Sequence, residues 1–225
     1  MSSRGVPGGG PRPALRWAVV VPVKPWAEAK SRLAREPSAR AALARAFTLD
    51  VVEAARSTVC VDAVLVVSRE PALRELFSAV GSAARVPLVV ADDRGRGLDD
   101  SVRLGVREVR RLCPGTNVAV VTGDLPSLRP QDLASLLAAA GGHRLGVVSD
   151  TEGTGTTVLT ATATTELRPA FGAGSFTRHL ALGAVDLSGA AAPGVRRDVD
   201  VDAQLRAARR LGVGRQTAAL DDPAD

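Results

Sequence analysis

Residues 117–126 read NVAVVTGDLP, a run of small and branched apolar residues that breaks at Thr122 into Gly123, Asp124, Leu125 and Pro126. An apolar run of that length closing on Gly-Asp is the pattern of a strand buried on both faces. In an open α/β sheet such a strand delivers its last side chains to the crevice at the carboxyl edge, where ligands bind. Gly123 permits a sharp turn or a close ligand, and Pro126 ends the ladder just past the acid. Asp124 is therefore expected at a strand-anchored position suited to a hard divalent cation. The competing role is a cap for the helix starting near Arg129, although residues 127–131 offer a cap of their own.

Upstream, residues 16–23 (RWAVVVPV) form the first expected strand, apolar enough to be central and running into Lys24. Residues 24–33 (KPWAEAKSRL) pass from a loop into a short helix. With no glycine, this loop is neither a P-loop nor a dinucleotide fingerprint, so any phosphate binding must come from Lys24, Lys30, Ser31 and Arg32. All but two of the 29 basic residues are arginine, and the two exceptions are Lys24 and Lys30. That asymmetry marks positions needing a compact ammonium and favours a triphosphate site over a solvated basic face.

Helical spacing over 38–57, a strand at 62–68, a proline-opened helix at 71–80 and a strand at 87–91 continue the alternation. The polar loop 92–101 follows, in which Gly97 and Leu98 would hold a base through backbone groups while Asp99 faces a ring or ribose. It feeds an amphipathic helix over 98–111. With the Asp124 strand and a helix at 129–140, the pattern argues for a three-layer α/β/α sandwich with a mainly parallel central sheet.

After residue 140 the pattern changes. A strand at 145–149 leads to the GTGTT segment, 153–157, and a strand resumes at 158–161. Glycines and hydroxyls there suit an oxyanion, as does the second small-residue turn, FGAGS at 171–175, in front of a helix at 175–182. His179 in that helix reads as structural or substrate-positioning, and His143 receives no role. Residues 195–202 (VRRDVDVD) read as a strand ending in alternating acids, with Asp198 and Asp200 on one face; one of them would be a second metal carboxylate, unless they cap the helix at 203–211.

The chain has 225 residues, 45% of them apolar, enough for one domain with a substantial core. The expected layout is a loose arm at 1–15, a single domain at 16–214 and a frayed tail at 215–225. Cys60 and Cys113 are too few for a disulfide framework, and no apolar run approaches a bilayer span. Without a signal-peptide core at the N-terminus, a cytoplasmic protein is expected. A net charge of +5 invites a nucleic-acid reading, but the arginines are interspersed with acids, and two Trp, four Phe and no Tyr leave little to stack on bases.

The motifs VPVKPWAEAKSRLA (21–34), GDLP (123–126), GTGT (153–156), FGAGS (171–175) and DVD (198–200) together resemble the guanylyltransferases of coenzyme F-420 biosynthesis, within the GT-A, nucleotide-diphospho-sugar transferase-like superfamily. The resemblance spans about residues 17–214. It implies that Thr156, Gly172 and Ser175 hold a small phosphorylated acid, that Asp124 and Asp198 bind magnesium (Mg2+), and that Lys24 and Lys30 meet the triphosphate of GTP. Asp99 stands where relatives usually carry asparagine. The acceptor implied is phosphoenolpyruvate or 2-phospho-L-lactate, and the arginine- and alanine-rich composition, typical of actinobacteria, points to the former. A homodimer stays open; neither a nucleic-acid nor a membrane partner is implied. The rival readings are a nucleotidyltransferase for another small phosphate and a non-catalytic nucleotide-binding module on the same scaffold.

Overall fold

The computed structural model describes residues 15–78, 86–92 and 97–220. Among these residues seven strands form one sheet: β1 (Trp17–Pro22), β2 (Val61–Ser68), β3 (Leu88–Asp92), β4 (Asn117–Val121), β5 (Leu145–Ser149), β6 (Thr156–Ala161) and β7 (Val185–Asp186). Their order is β3-β2-β1-β4-β6-β5-β7, and β6 alone runs against the rest. The helices are α1 (Pro37–Ser57), α2 (Pro71–Ser78), α3 (Leu98–Leu112), α4 (Pro130–Ala140), α5 (Ser175–Ala181), α6 (Pro193–Arg196), α7 (Asp202–Leu211) and α8 (Arg215–Ala218). The three-layer, mainly parallel arrangement expected from the alternation is the one found.

Period-two alternation in β1 divides the core. Trp17, Val19 and Val21 pack on the face covered by α1 and α4, where Val51, Leu133 and Leu137 are buried. Ala18 and Val20 face α3, through Val102, Val106 and Val109. Helix α3 lies close on the sheet because Gly105 has no side chain; a Cβ there would sit 2.4 Å from Val20 Cγ1 and 2.8 Å from Val67 Cγ2. A third cluster, Leu33, Leu43, Phe47, Val199, Leu205 and Ala208, fastens the loop after β1 and the acidic segment before α7 to α1. The strand order reverses between β1 and β4, with α1 and α3 on opposite faces. That is the topological switch point, and Lys24 and Asp124 follow the two strands that flank it.

Four expectations are corrected. Residues 195–202 are not a strand: α6 ends at Arg196, and the acids follow on an irregular segment whose Val199 N–H reaches the Asp124 carbonyl at 3.2 Å. Alternation cannot show that Val199 is held by side-chain burial and one backbone bond rather than by a ladder. The loop after β1 contains a single 3-10 turn, Trp26–Glu28, instead of a helix carrying four phosphate-binding groups. Thr156 and Thr157 begin β6 rather than ending a loop, because their backbones pair with β5 and β4. Finally, residues 215–218 form α8, whose first N–H groups are capped by buried Asp50: its carboxylate accepts from Gln216 at 2.8 Å and Thr217 at 2.9 Å. The expected arm up to Ala14 and the tail beyond Leu220 lie outside the described residues, as do 79–80 of the second crossover helix and 93–96 of the loop before α3.

Replacing Gly105 with valine should separate α3 from the sheet and cost about 1–3 kcal/mol, since the neighbouring Val20 and Val67 side chains are buried and cannot retreat. Urea unfolding should show a lower midpoint with an unchanged slope; an unchanged midpoint would mean the helix sits farther away than the contacts indicate.

Candidate active site

The loop after β1 is pinned before it reaches the site. Trp26 is buried, its backbone N–H donates to Glu70 Oε2 at 3.0 Å, and its indole N–H points at Thr48 Oγ1. Farther on, Leu33 is buried and the Ala34 N–H donates to Asp202 Oδ2 at 2.9 Å. Between these anchors Lys30 takes φ 57°, a left-handed conformation that a β-carbon makes costly and that the fixed ends impose. Its side chain is only 9% exposed, and Nζ lies 2.7 Å from Asp124 Oδ2 and 2.9 Å from Asp200 Oδ1.

That ion triad sets the electrostatics. Burial would lower the Lys30 pKa, but Asp124 and Asp200 outweigh it and raise the value. Burial would likewise raise Asp124, yet the Lys30 ammonium holds it below the ordinary carboxylate range. Among the described residues, no cation offsets the charge of Asp198 in this way. Desolvation, then the charges of Asp124, Asp200, Asp150 and Glu152, push its carboxyl up to about 7.

One ammonium therefore serves a group of acids it cannot neutralise. Asp124 Oδ1 and Asp198 Oδ1 are both buried without a hydrogen-bond partner. Orphaned carboxylate oxygens beside a third acid fit the chemistry of a hard divalent cation, so Asp124 and Asp198, with Asp200, are residues that could hold one. Among the described residues no three such side chains already close around one point. Remaining coordination positions would thus fall to ligand oxygens, the usual condition for magnesium.

A cleft of about 330 Å³ opens here, bringing Lys24, Lys30, Leu98, Asp124 and Asp200 to one wall system. An adjoining hollow shares Lys24 and Leu98 and adds Gly97, Asp99, Phe171 and Gly172. The base-side loop thus faces the FGAGS turn directly. Asp99 links them: its Oδ1 accepts the Phe171 N–H at 2.8 Å. One oxygen of the side chain expected to meet ribose or guanine is thus spent on holding the FGAGS turn. Arg32, expected at the phosphates, has a side chain 77% exposed with Nη1 4.0 Å from Asp200 Oδ2.

Thr156 and Ser175 lie together: the Ser175 hydroxyl donates to Thr156 Oγ1 at 3.0 Å, both residues being buried. The GTGT turn is shaped by a residue that motif reading passed over. Asp150 Oδ1 accepts the Thr154 N–H and Oδ2 the Gly155 N–H, at 2.8 and 2.7 Å, and a Cβ on Gly155 would lie 2.4 Å from Asp150 Oδ2. An acid followed by Thr-Gly four and five residues later was the available signal. Asp200 was noted only as an alternative to Asp198; no one-dimensional pattern shows that it shares Lys30 with Asp124.

Residues 17–187 match the family model described as "Guanylyl transferase CofC like". A phosphoenolpyruvate guanylyltransferase of Streptomyces scabiei is 44% identical over 207 residues, covering 91% of this chain and 95% of the relative. One from Geodermatophilus obscurus is also 44% identical, over 91% of this chain and 93% of its own length. Among solved structures, 4-diphosphocytidyl-2C-methyl-D-erythritol synthase superposes with a TM-score of 0.57 at 13% identity, covering 88% of this chain and 99% of that one, a likeness of fold.

Asp198 yields a test with a defined sign. Its folded value near 7 lies above the 3.8 of an ordinary aspartate, so its contribution to stability is complete below about 3.8 and lost as pH rises through 7. Asp124 is shifted the other way, and its contribution disappears only in acid, outside that window. Chelator-treated protein should therefore lose stability between pH 5.5 and 8, on the order of 2 kcal/mol, and Asp198→Asn should flatten that part of the profile. Parallel pH profiles of the two proteins in thermal melts would contradict the assigned environment. Both the resemblance of motifs and the match over three-quarters of its length agree with this geometry: the chain belongs to the CofC-like guanylyl transferase family.

Proposed function

We propose that this chain transfers GMP from GTP to phosphoenolpyruvate, giving enolpyruvyl-2-diphospho-5'-guanosine and pyrophosphate, in the cytoplasm and as a step of coenzyme F-420 biosynthesis. The acceptor is supported by the curated relatives, which are named for it. The observation that carries the chemistry is the buried Lys30 ammonium between Asp124 and Asp200, beside Lys24 at the switch point.

A phosphate oxygen of the acceptor attacks the α-phosphorus of GTP; the new O–P bond forms as the bond to pyrophosphate breaks. The nucleophile is already an anion, so no general base is required. What opposes the reaction is repulsion among phosphate oxygens. Lys24 reaches both hollows and is placed to meet the leaving pyrophosphate, while Lys30, held by its two acids, supplies a charge that needs no reorganisation. Asp124, Asp198 and Asp200 would hold magnesium, which would supply positive charge against the phosphate oxygens. Gly97 and Leu98 present backbone groups to the base, and Thr156, Gly172 and Ser175 receive the acid, with Asp99 setting the distance between the two subsites.

Asp124→Ala and Lys30→Ala should both remain folded and each lose at least about a hundredfold in kcat, on the order of 3 kcal/mol in the barrier. Pyrophosphate release should be followed with GTP, magnesium and phosphoenolpyruvate, with mass spectrometry of the product. Full turnover by folded Asp124→Ala would remove the metal assignment, and preferential use of 2-phospho-L-lactate would replace the acceptor. GTP binding with no release of its pyrophosphate in the presence of any small phosphate acceptor would leave only a binding module.

A further inference from the structure

His179 of α5 is buried to 1% exposure and contacts none of the acids at the metal-binding position, yet both ring nitrogens are engaged. Nε2 lies 3.0 Å from the backbone nitrogen of Ala170. A backbone N–H can only donate, so Nε2 must offer its lone pair. A neutral imidazole then carries its proton on Nδ1, which lies 3.0 Å from Thr156 Oγ1 and donates to it. The neutral form agrees with burial, which lowers the His179 pKa.

The consequence falls on Thr156. Its oxygen has two lone pairs; one accepts from His179 Nδ1–H and the other from the Ser175 hydroxyl. Only its own hydrogen remains to be given. Nearby groups of the turn are already committed: Arg178 donates to the carbonyls of Ala170, Phe171 and Ala173, and Asp99 accepts from Phe171 N–H. The Phe171 ring meets the imidazole edge-on, with centroids 5.1 Å apart, fixing its plane.

We propose that His179 is a positioning residue that, through its Nδ1–H, makes the Thr156 hydroxyl an obligate donor and so tunes this subsite to groups that only accept hydrogen bonds, a carboxylate or phosphate oxygen of the acceptor acid. This rests on the reading of Thr156 and Ser175 as the acid subsite.

The test compares His179→Leu, His179→Asn and His179→Gln in the full chain, with Thr156→Val as reference. Asparagine can place an N–H near Nδ1, and glutamine can reach only the Nε2 side. His179→Leu should raise KM for phosphoenolpyruvate about tenfold while the Kd for GTP, read by calorimetry, stays within about twofold; this corresponds to about 1.4 kcal/mol, the size of one hydrogen bond. His179→Asn should recover most of the loss and His179→Gln little. Because His179 acts through Thr156, adding His179→Leu to Thr156→Val should cost almost nothing further.

A fall in kcat with both substrate affinities unchanged would reveal a purely structural histidine and overturn the proposal. Should His179→Leu not fold, the Asn and Gln pair decides alone, and Gln outperforming Asn refutes it. If Thr156→Val leaves the phosphoenolpyruvate KM unchanged, the reading of the subsite itself has failed; if it raises KM and the His179 variants do not, only the present proposal has. Nitrogen-15 spectra of imidazole-labelled protein give an independent check, since a proton on Nε2 contradicts the assigned tautomer.

Discussion

A single ammonium held between two carboxylates governs the arrangement of this site. Bringing Lys30 out of water is expensive, and its attraction to Asp124 and Asp200 compensates only because both contacts are short and the geometry is fixed. The fixing is done elsewhere. Trp26, Leu33 and Asp202 hold the ends of the loop and force Lys30 into the left-handed region; Val199 is buried between Asp198 and Asp200 and holds that segment against α1 and α7. The hydrophobic effect thus supports a charge arrangement that would not assemble by itself. Asp198 is pushed up in pKa by burial and by the neighbouring acids, a surplus of negative charge that one ammonium leaves uncompensated.

The sheet assigns different tasks to its two halves. The parallel half, β3-β2-β1-β4, creates the switch point and delivers Lys24 and Asp124 from adjacent strands. Beyond β4 the antiparallel β6 reverses the chain, so that Thr156 stands at the beginning of a strand beside the end of β4, where Val121 pairs with Val158. Reversal is what lets the GTGT turn face the same edge as the Asp124 turn. Asp99 then joins the halves: a residue at the start of α3 holds the backbone of the FGAGS turn. Since α3 can approach the sheet closely because residue 105 is glycine, packing in the middle of a helix bears on where Asp99 at its start holds the FGAGS turn.

Much of this was legible beforehand, and the boundary of legibility is physical. Strands β1, β2 and β4 announce themselves because strands buried on both faces must be apolar without interruption. Lys24 and Lys30 stood out through their rarity among arginines. What could not be read is what depends on three-dimensional closure. The alternating acids at 198–202 satisfy a strand pattern, but among the described residues they pair with no strand; the segment is held by buried Val199. Residues 215–218 look like a tail because their cap, Asp50, is supplied by α1, far away in sequence. Thr156 reads as the end of a glycine-threonine turn although it is already paired with β5, because hydroxyl-bearing β-branched residues serve both states.

The lysine asymmetry also gains a sharper meaning than phosphate binding alone. Lys24 is exposed between the two hollows, a position compatible with a mobile charge that meets an arriving polyanion. Lys30 is nearly enclosed, with two acids at hydrogen-bond distance on different segments. A guanidinium is planar and prefers to grip one carboxylate with two parallel bonds; an ammonium is compact, and its three donors diverge. Joining Asp124 on the sheet to Asp200 on an irregular segment requires divergence. In a chain that otherwise uses arginine for cationic contacts, lysine at position 30 is therefore dictated by the need to bridge two elements through one atom. The same compactness leaves Asp124 Oδ1 and Asp198 Oδ1 uncovered, so the residue that stabilises the acids does not consume them.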